Sequence, residues 1–156
     1  MMQYSHRGEL NPSPSLFDSL IAFTQPTIEP APVPAHFPHL SELSLNGRTE
    51  HCQWLLAPVL RDLSTSLQER WLTLVAPPKH ITHTWLKEIG LNRERIILLH
   101  RVEQQDAMAL ACRALSAGRS HTVVSWLNLI DNRARQQLDH AAARGRSQSL
   151  NIQLSC

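Results

Sequence analysis

Two histidines in the stretch "KHITHTW", His80 and His83, are the first candidates for chemistry in this chain. Their i,i+3 spacing can supply half of a metal site, but a metal ion needs third and fourth ligands in register. None follows, so the pair reads as two exposed histidines around a helix start. His100 closes an apolar run and has the side chain of a general base. It lacks a nucleophile: Ser116, Ser120 and Ser125 lie outside any GxSxG elbow, and His100 reads as a polar residue at a sheet rim. A phosphate loop needs GxxxxGK followed by Ser or Thr between the first strand and first helix, because backbone N–H groups and a lysine hold the phosphates. The corresponding stretch is "LSLNGRTEHCQWLL", with one glycine and no Gly-Lys pair. GxGxxG is absent, and "RIILLH" and "TVVSWLN" end in His100 and Asn128 rather than in an acid that could hold Mg²⁺. The expectation is a protein that is not an enzyme, with no catalytic residue, cofactor or metal.

Charge narrows the partners. The chain has 156 residues and a net charge of +2, so no strong field points to nucleic acid or membrane. Arg133, Arg135, Arg144 and Arg146 form a basic cluster, but Asp131 and Asp139 interleave with it and no aromatic residue accompanies it. Stacking platforms for single strands need aromatic faces, so a solvated helix face is the simpler reading. Leu16 to Phe23 is too short and interrupted for a signal peptide or membrane span. Cys52, Cys112 and Cys156 are odd in number and lack CxxC spacing, which implies no disulfide framework and no metal knuckle. A soluble protein of a reducing, cytoplasmic compartment is expected.

The elements that must carry any site come next. Seven of the ten prolines precede residue 39, so residues 1–40 read as a flexible Pro-rich arm in which "SLFDSLIAF" could make a short amphipathic turn. Residues 41–156 read as one domain of alternating strands and helices. "ELSL" is a strand before the Asn46-Gly47 turn. A helix over Glu50 to Leu67 carries Trp54, Leu55, Val59, Leu63 and Leu67, with Pro58 expected to kink or interrupt it. "RWLTLVA" is a strand, and Thr82 caps a helix through Ile89 that Gly90 closes. "RIILLH" has the all-apolar pattern of a strand buried on both faces. Glu103 to Ala117 is helical, with a stripe of Ala107, Met108, Ala111, Cys112 and Leu115 that makes Cys112 a small core hydrophobe. "HTVVSWL" is another buried strand, Asp131 caps a helix to Ala143 or Arg144 that Gly145 closes, and "SLNIQL" alternates like an edge strand. Such alternation predicts an α/β fold, a mostly parallel sheet with helices on both faces.

The strand-end loop "APPKHITHTW" sits where open α/β proteins bind ligands. It has no glycine, acid or hydroxyl before Thr82, so it suits protein recognition better than phosphate binding. Trp54, Trp71 and Trp126 occupy apolar positions and read as core. Trp85, in the first helical turn after Pro77-Pro78 and close in sequence to Arg70 and to "NRER", is as compatible with a core position as with a protein-binding hot spot.

"QWLLAPVLRDL", "RWLTLVAPPKHITHTWLKEIGL" and "ALACRALSAGRSHTVVSWL", from about Gln53 to Leu150, resemble SulA, the family of bacterial SOS cell-division inhibitors. The resemblance implies a RecA-like core that has lost its phosphate loop. It implies binding to FtsZ, the tubulin-like GTPase of the division ring, over the face carrying the synergy loop, so that assembly and GTPase activity fall and septation stops. It also implies a homodimer and degradation by the Lon protease. By motif, the residues used for binding are Arg70 and Trp85, both identical, with Val75 in place of a leucine and Arg95 in place of a lysine. Pro77 and Pro78 stand where the family loop has one proline, and "LNIQLSC" lacks the longer histidine-ended tail of enterobacterial members, so the expectation shifts the degradation signal to the arm. A second expectation, a RecA-like accessory protein of DNA repair or translesion synthesis, requires salt-sensitive DNA binding. A third, a degenerate nucleotide-binding enzyme, requires stabilisation by ATP, which the missing phosphate loop opposes.

Overall fold

A computed structural model describes residues 36–66 and 69–155 of the chain. The arm up to residue 35, with its expected turn at Leu16 to Phe23, lies outside them. In chain order the elements are β1 (Leu40–Asn46), α1 (Thr49–Ser64), β2 (Trp71–Val75), α2 (His83–Glu88), a 3₁₀ turn (Arg93–Arg95), β3 (Ile96–Leu99), α3 (Ala107–Ser116), β4 (Ser120–Ser125), α4 (Asn132–Gly145) and β5 (Gln148–Ser155). The strands form one five-stranded sheet in the order β1-β5-β4-β2-β3, with every pair parallel. This is the α/β architecture that the alternating pattern predicts.

Each face of the sheet carries its own core. Leu72 and Leu74 of β2 and Val124 of β4 pack with Cys52, Leu56 and Leu60 of α1 and Leu86 of α2. Val75 and Val123 point the other way and pack with Ala111 and Leu115 of α3 and Leu138, Ala141 and Ala142 of α4. Period-two alternation along the strands produces this division. No described helix is long and apolar enough to cross a membrane.

Several local expectations are corrected. β3 is an edge strand: Ile96 and Leu98 pack on one core and Leu99 on the other, as a strand covered on both faces would, but Ile97, Leu98 and Leu99 are only half-buried. An apolar run reports cover from helices above and below, not a strand on either side. β5 is interior, between β1 and β4. Its alternation misleads because the polar positions are satisfied inside: Asn151, fully buried, accepts from Leu127 N at 2.8 Å and donates to Leu127 O at 3.1 Å. β1 takes the edge, with Glu42 paired to Arg135 at 2.7 Å.

α1 runs through Pro58 without interruption. Proline removes the bond that would reach the Trp54 carbonyl. Pro58 and Trp54 are both exposed, so water takes the lost donor's place at little cost. The buried stripe of α1 is Cys52, Leu56, Ala57 and Leu60, one helix face away from the expected Leu55 series. α3 begins at Ala107, later than expected, because Gln104 adopts a left-handed φ of 70° and Asp106 caps Met108 N at 3.1 Å. At the end of α4 the left-handed residue is Arg146, at φ 52°, not Gly145.

Cys52 is disulfide-bonded, which departs from the expectation of no disulfide framework. Sequence spacing carries no trace of a bond that only the fold closes. Cys112 is free and half-buried, and burial followed by the charge of Asp106 pushes its thiol pKa up.

His121, at the start of β4, is almost fully buried and its Nδ1 lies 3.0 Å from Thr122 Oγ1. Burial, and then the Arg70 charge, hold its pKa below the usual 6.5. The folded state therefore binds the proton less readily than the unfolded chain. Its contribution to stability is complete above pH 6.5 and is lost as pH falls below that value. Thermal melts from pH 7.5 to pH 5 should show a declining Tm, with a shallower decline in His121→Asn; equal slopes would contradict this.

Candidate functional site

The Pro-Pro loop seats α2 rather than forming an open recognition edge. Ala76 leaves β2 at φ 52°, and its N–H donates to Leu99 O at 2.8 Å. Pro77 and Pro78 are half-buried, and Ile81 N donates to Pro78 O at 2.9 Å. That turn drives Ile81 into the core at 1% exposure. Gln53 of α1 then donates to His80 O at 3.2 Å, tying the loop to α1. Thr82 caps α2 as expected, its Oγ1 accepting from Trp85 N at 3.1 Å, and Gly90 ends it at φ 84°.

Trp85 is half-buried. Its inner side packs against the core beneath α1 and α2, and it also lines a groove of about 370 Å³ with Glu50, Trp54, Ala57, Arg61 and Glu88. Trp85 is thus part core and part groove wall. Across the groove Trp54 is 79% exposed, and Leu55 beside it is 56% exposed. Arg61 Nε donates to Ile89 O at 3.0 Å and braces one end. Trp54 and Leu55 were read as core. The signal that could have placed them outside is the competing i,i+4 series Cys52, Leu56, Leu60, which contains the smaller and more uniform apolar residues. Trp71 is 39% exposed, a second tryptophan moved out of the expected core. Trp126 is half-buried and packs against the core as expected.

The six residues singled out by sequence do not form one patch. Val75 is fully buried between β4 and α3, so its side chain reaches no surface. Arg70 stands before β2, and Arg95 stands before β3, which pairs Leu72 with Ile96. Both arginines lie at the amino ends of the strands. Pro77 and Pro78 lie at the carboxyl ends, roughly 17 Å away along a five-residue strand. Arg70 also faces away from Trp85: its guanidinium donates to Gly145 O at 3.2 Å and Arg146 O at 2.8 Å, at the end of α4 on the opposite face. A cation on the last carbonyls of a helix satisfies groups that have no helical partner. Arg70→Ala is therefore expected to destabilise the fold by about 1 kcal/mol, seen as a lower urea midpoint at unchanged m-value; an unchanged midpoint would remove the structural role. Arg95 is exposed on the 3₁₀ turn, which Asn92 caps through Glu94 N at 3.0 Å.

Among the described residues no three or more His, Cys, Asp or Glu side chains are grouped to hold a metal ion. His100 is exposed at the carboxyl rim. The link from β1 to α1 is Gly47 and Arg48 alone, too short to wrap a phosphate. Of the basic cluster, Arg135 is engaged by Glu42 and by Asn132 at 3.1 Å. What the surface offers is an aromatic groove between α1 and α2, with arginines along the amino rim of the sheet. Exposed Trp and Arg are enriched on protein-binding surfaces.

Comparison with known proteins identifies the family. The family model described as "Cell division inhibitor SulA" matches residues 39–149. A protein of that description from Pseudomonas aeruginosa is 52% identical over 144 residues, covering 92% of this chain and 86% of the relative. One from Edwardsiella piscicida is 29% identical over 133 residues, covering 85% of this chain and 78% of the relative. The crystal structure of SulA from Pseudomonas aeruginosa superposes with a TM-score of 0.72 at 56% identity, covering 75% of this chain and 98% of the other. The match spans both core layers, α1, α2 and the loop between β2 and α2, and on that extent the chain belongs to the SulA family of cell division inhibitors.

Proposed function

We propose that this protein stops septation by binding FtsZ subunits in the cytoplasm, blocking their polymerisation and GTPase activity during the SOS response. The observation that carries this reading is the exposed Trp54 and half-exposed Trp85 facing each other across one groove, in a chain of the SulA family. Large aromatic side chains on a rigid helix pair lose little conformational entropy on docking. Arg95 extends the surface toward acidic groups on the partner. Pro77 and Pro78 act at one remove, by fixing the turn that seats α2, and Arg70 by holding the end of α4.

The mechanism is steric. A captured subunit has its synergy-loop face covered and cannot complete the GTPase site of its neighbour. Inhibition therefore follows stoichiometry, with no turnover by the inhibitor. A mixture with FtsZ from the same organism should sediment as a complex that saturates near equimolar amounts; free sedimentation of both at severalfold excess would contradict the reading. The same family supports a homodimer and degradation by Lon. Light scattering of the isolated protein should give twice the chain mass, and the protein should persist in cells lacking Lon.

A further inference from the structure

We propose that the crevice where β2 and β4 part at their carboxyl ends binds a small organic carboxylate, its oxygens held by the ring nitrogens of Trp126 and His80 and its apolar body by the walls of the cavity there. The inference is independent of FtsZ capture, which uses the groove between α1 and α2. β2 and β4 are neighbours in the sheet, and Val75 pairs with Ser125 at their last rung. Beyond that rung the two strands leave for opposite faces: β2 leads to α2, which packs with α1, and β4 leads to α4, which packs with α3. A parallel sheet opens a crevice at such a reversal, and open α/β proteins bind ligands there. Ala76 and Trp126, the residues after the rung, both line the two cavities at this place, of about 350 and 270 Å³. Ala76 turns off at φ 52°, which carries the Pro-Pro loop clear of the β4 end.

The lining of the larger cavity selects the ligand. Pro78, Ile152 and Leu154 give it apolar walls, and no acidic side chain lines it. His80 and Trp126 also line it, and their Nε2 and Nε1 atoms are buried with no hydrogen-bond partner among the described residues. Leaving a buried N–H unpaired is costly, so a ligand that brings an oxygen to each recovers the bond. An indole nitrogen only donates, so the group that meets it must accept. Burial lowers the pKa of His80 below 6.5. The imidazole is therefore neutral at pH 7, and its Nε2–H tautomer donates as the indole does. One carboxylate supplies two acceptor oxygens for these two donors. The smaller cavity shares Ala76 and Trp126 and adds Arg101, whose charge favours an anion. A third cavity reaches Trp126 from the α3–α4 side but carries Asp106 and Asp131, which disfavour one. Both ring nitrogens are buried, so docking turns the two rings toward the ligand.

The test is a titration of the isotopically labelled full chain, followed by nuclear magnetic resonance, with sodium benzoate and with its neutral isostere benzamide at constant ionic strength. The indole N–H resonance of Trp126, identified as the one that Trp126→Phe removes, should shift saturably with millimolar benzoate. The His80 ring resonances should move with the same half-saturation. Benzamide, with one acceptor oxygen and no charge, should need roughly tenfold more. Trp126→Phe, read at His80 and at the Ala76 and Asn128 amides, should bind benzoate about tenfold more weakly. If that variant fails to fold, the titration of the unmutated protein still decides. No saturable shift at the Trp126 indole, an equal response to benzamide, or shifts confined to Trp54 and Trp85 overturns the proposal.

Discussion

Gly145→Ala should destabilise the fold by roughly 3 kcal/mol or more, the largest loss expected from any single methyl group added to this protein. A Cβ at Gly145 would lie 1.7 Å from Leu115 O and 2.8 Å from Leu115 C. Both obstacles are backbone, so no side chain can swing aside. Relief requires α3 and α4 to part, and that opens the core of Val75, Val123, Leu138 and Ala142. It also disturbs Ser147, whose hydroxyl donates to Ser120 O at 2.7 Å and approaches Leu115 O at 3.2 Å. Denaturant melts should show a sharply lower midpoint, or no folded baseline. A variant as stable as the parent would mean that the α3–α4 contact yields easily. Gly118, the other glycine at this crossing, meets only ordinary contacts at 3.5 Å and should lose stability through its φ of 73° alone.

Trp54→Ala is expected to separate binding from folding. The side chain is 79% exposed and lies off the buried stripe of α1, so Tm should stay within a few degrees of the parent. Affinity for FtsZ should fall about thirtyfold, the roughly 2 kcal/mol of a hot-spot aromatic. Trp85→Ala should lose both, because Trp85 also packs on the core beneath α2. A Trp54→Ala protein with unchanged affinity would remove the groove from the interface. The contrast makes Trp54 the better probe: truncating Trp85, or Arg70 with its bonds to the end of α4, confounds recognition with stability.

The fold class was legible because its signals are local and repeated. Thr82 and Asp131 cap the helices where they stand in sequence, Gly90 and Gly118 end them, and β4 is an unbroken buried run at the sheet's centre. Strand order was not legible. An apolar run tells that helices cover both faces, which is true of β3 and β4 alike, but not whether strands flank it. Asn151 hid the interior place of β5, since an amide that satisfies Leu127 N and O looks in sequence like a solvent-facing residue. Gly145 does end its helix, but its role as a contact surface was hidden.

The site was legible only in part, and for a geometric reason. Arg70, Val75 and Pro77 lie close in sequence, yet a strand puts Arg70 and Pro77 at opposite ends and buries Val75 between them. Trp85 was singled out, while its neighbour across the groove was assigned to the core. Trp54 and Trp85 are 31 positions apart in sequence, and only the packing of α1 beside α2 brings them together.

Division inhibition by subunit capture is tested most directly by titrating FtsZ with this protein while following GTPase rate and light scattering, with Trp54→Ala in parallel. Both signals should fall together and saturate near equimolar inhibitor, and the folded variant should need about thirtyfold more. Undiminished GTPase rate and scattering at severalfold excess of folded protein, with FtsZ from the same organism, would contradict capture.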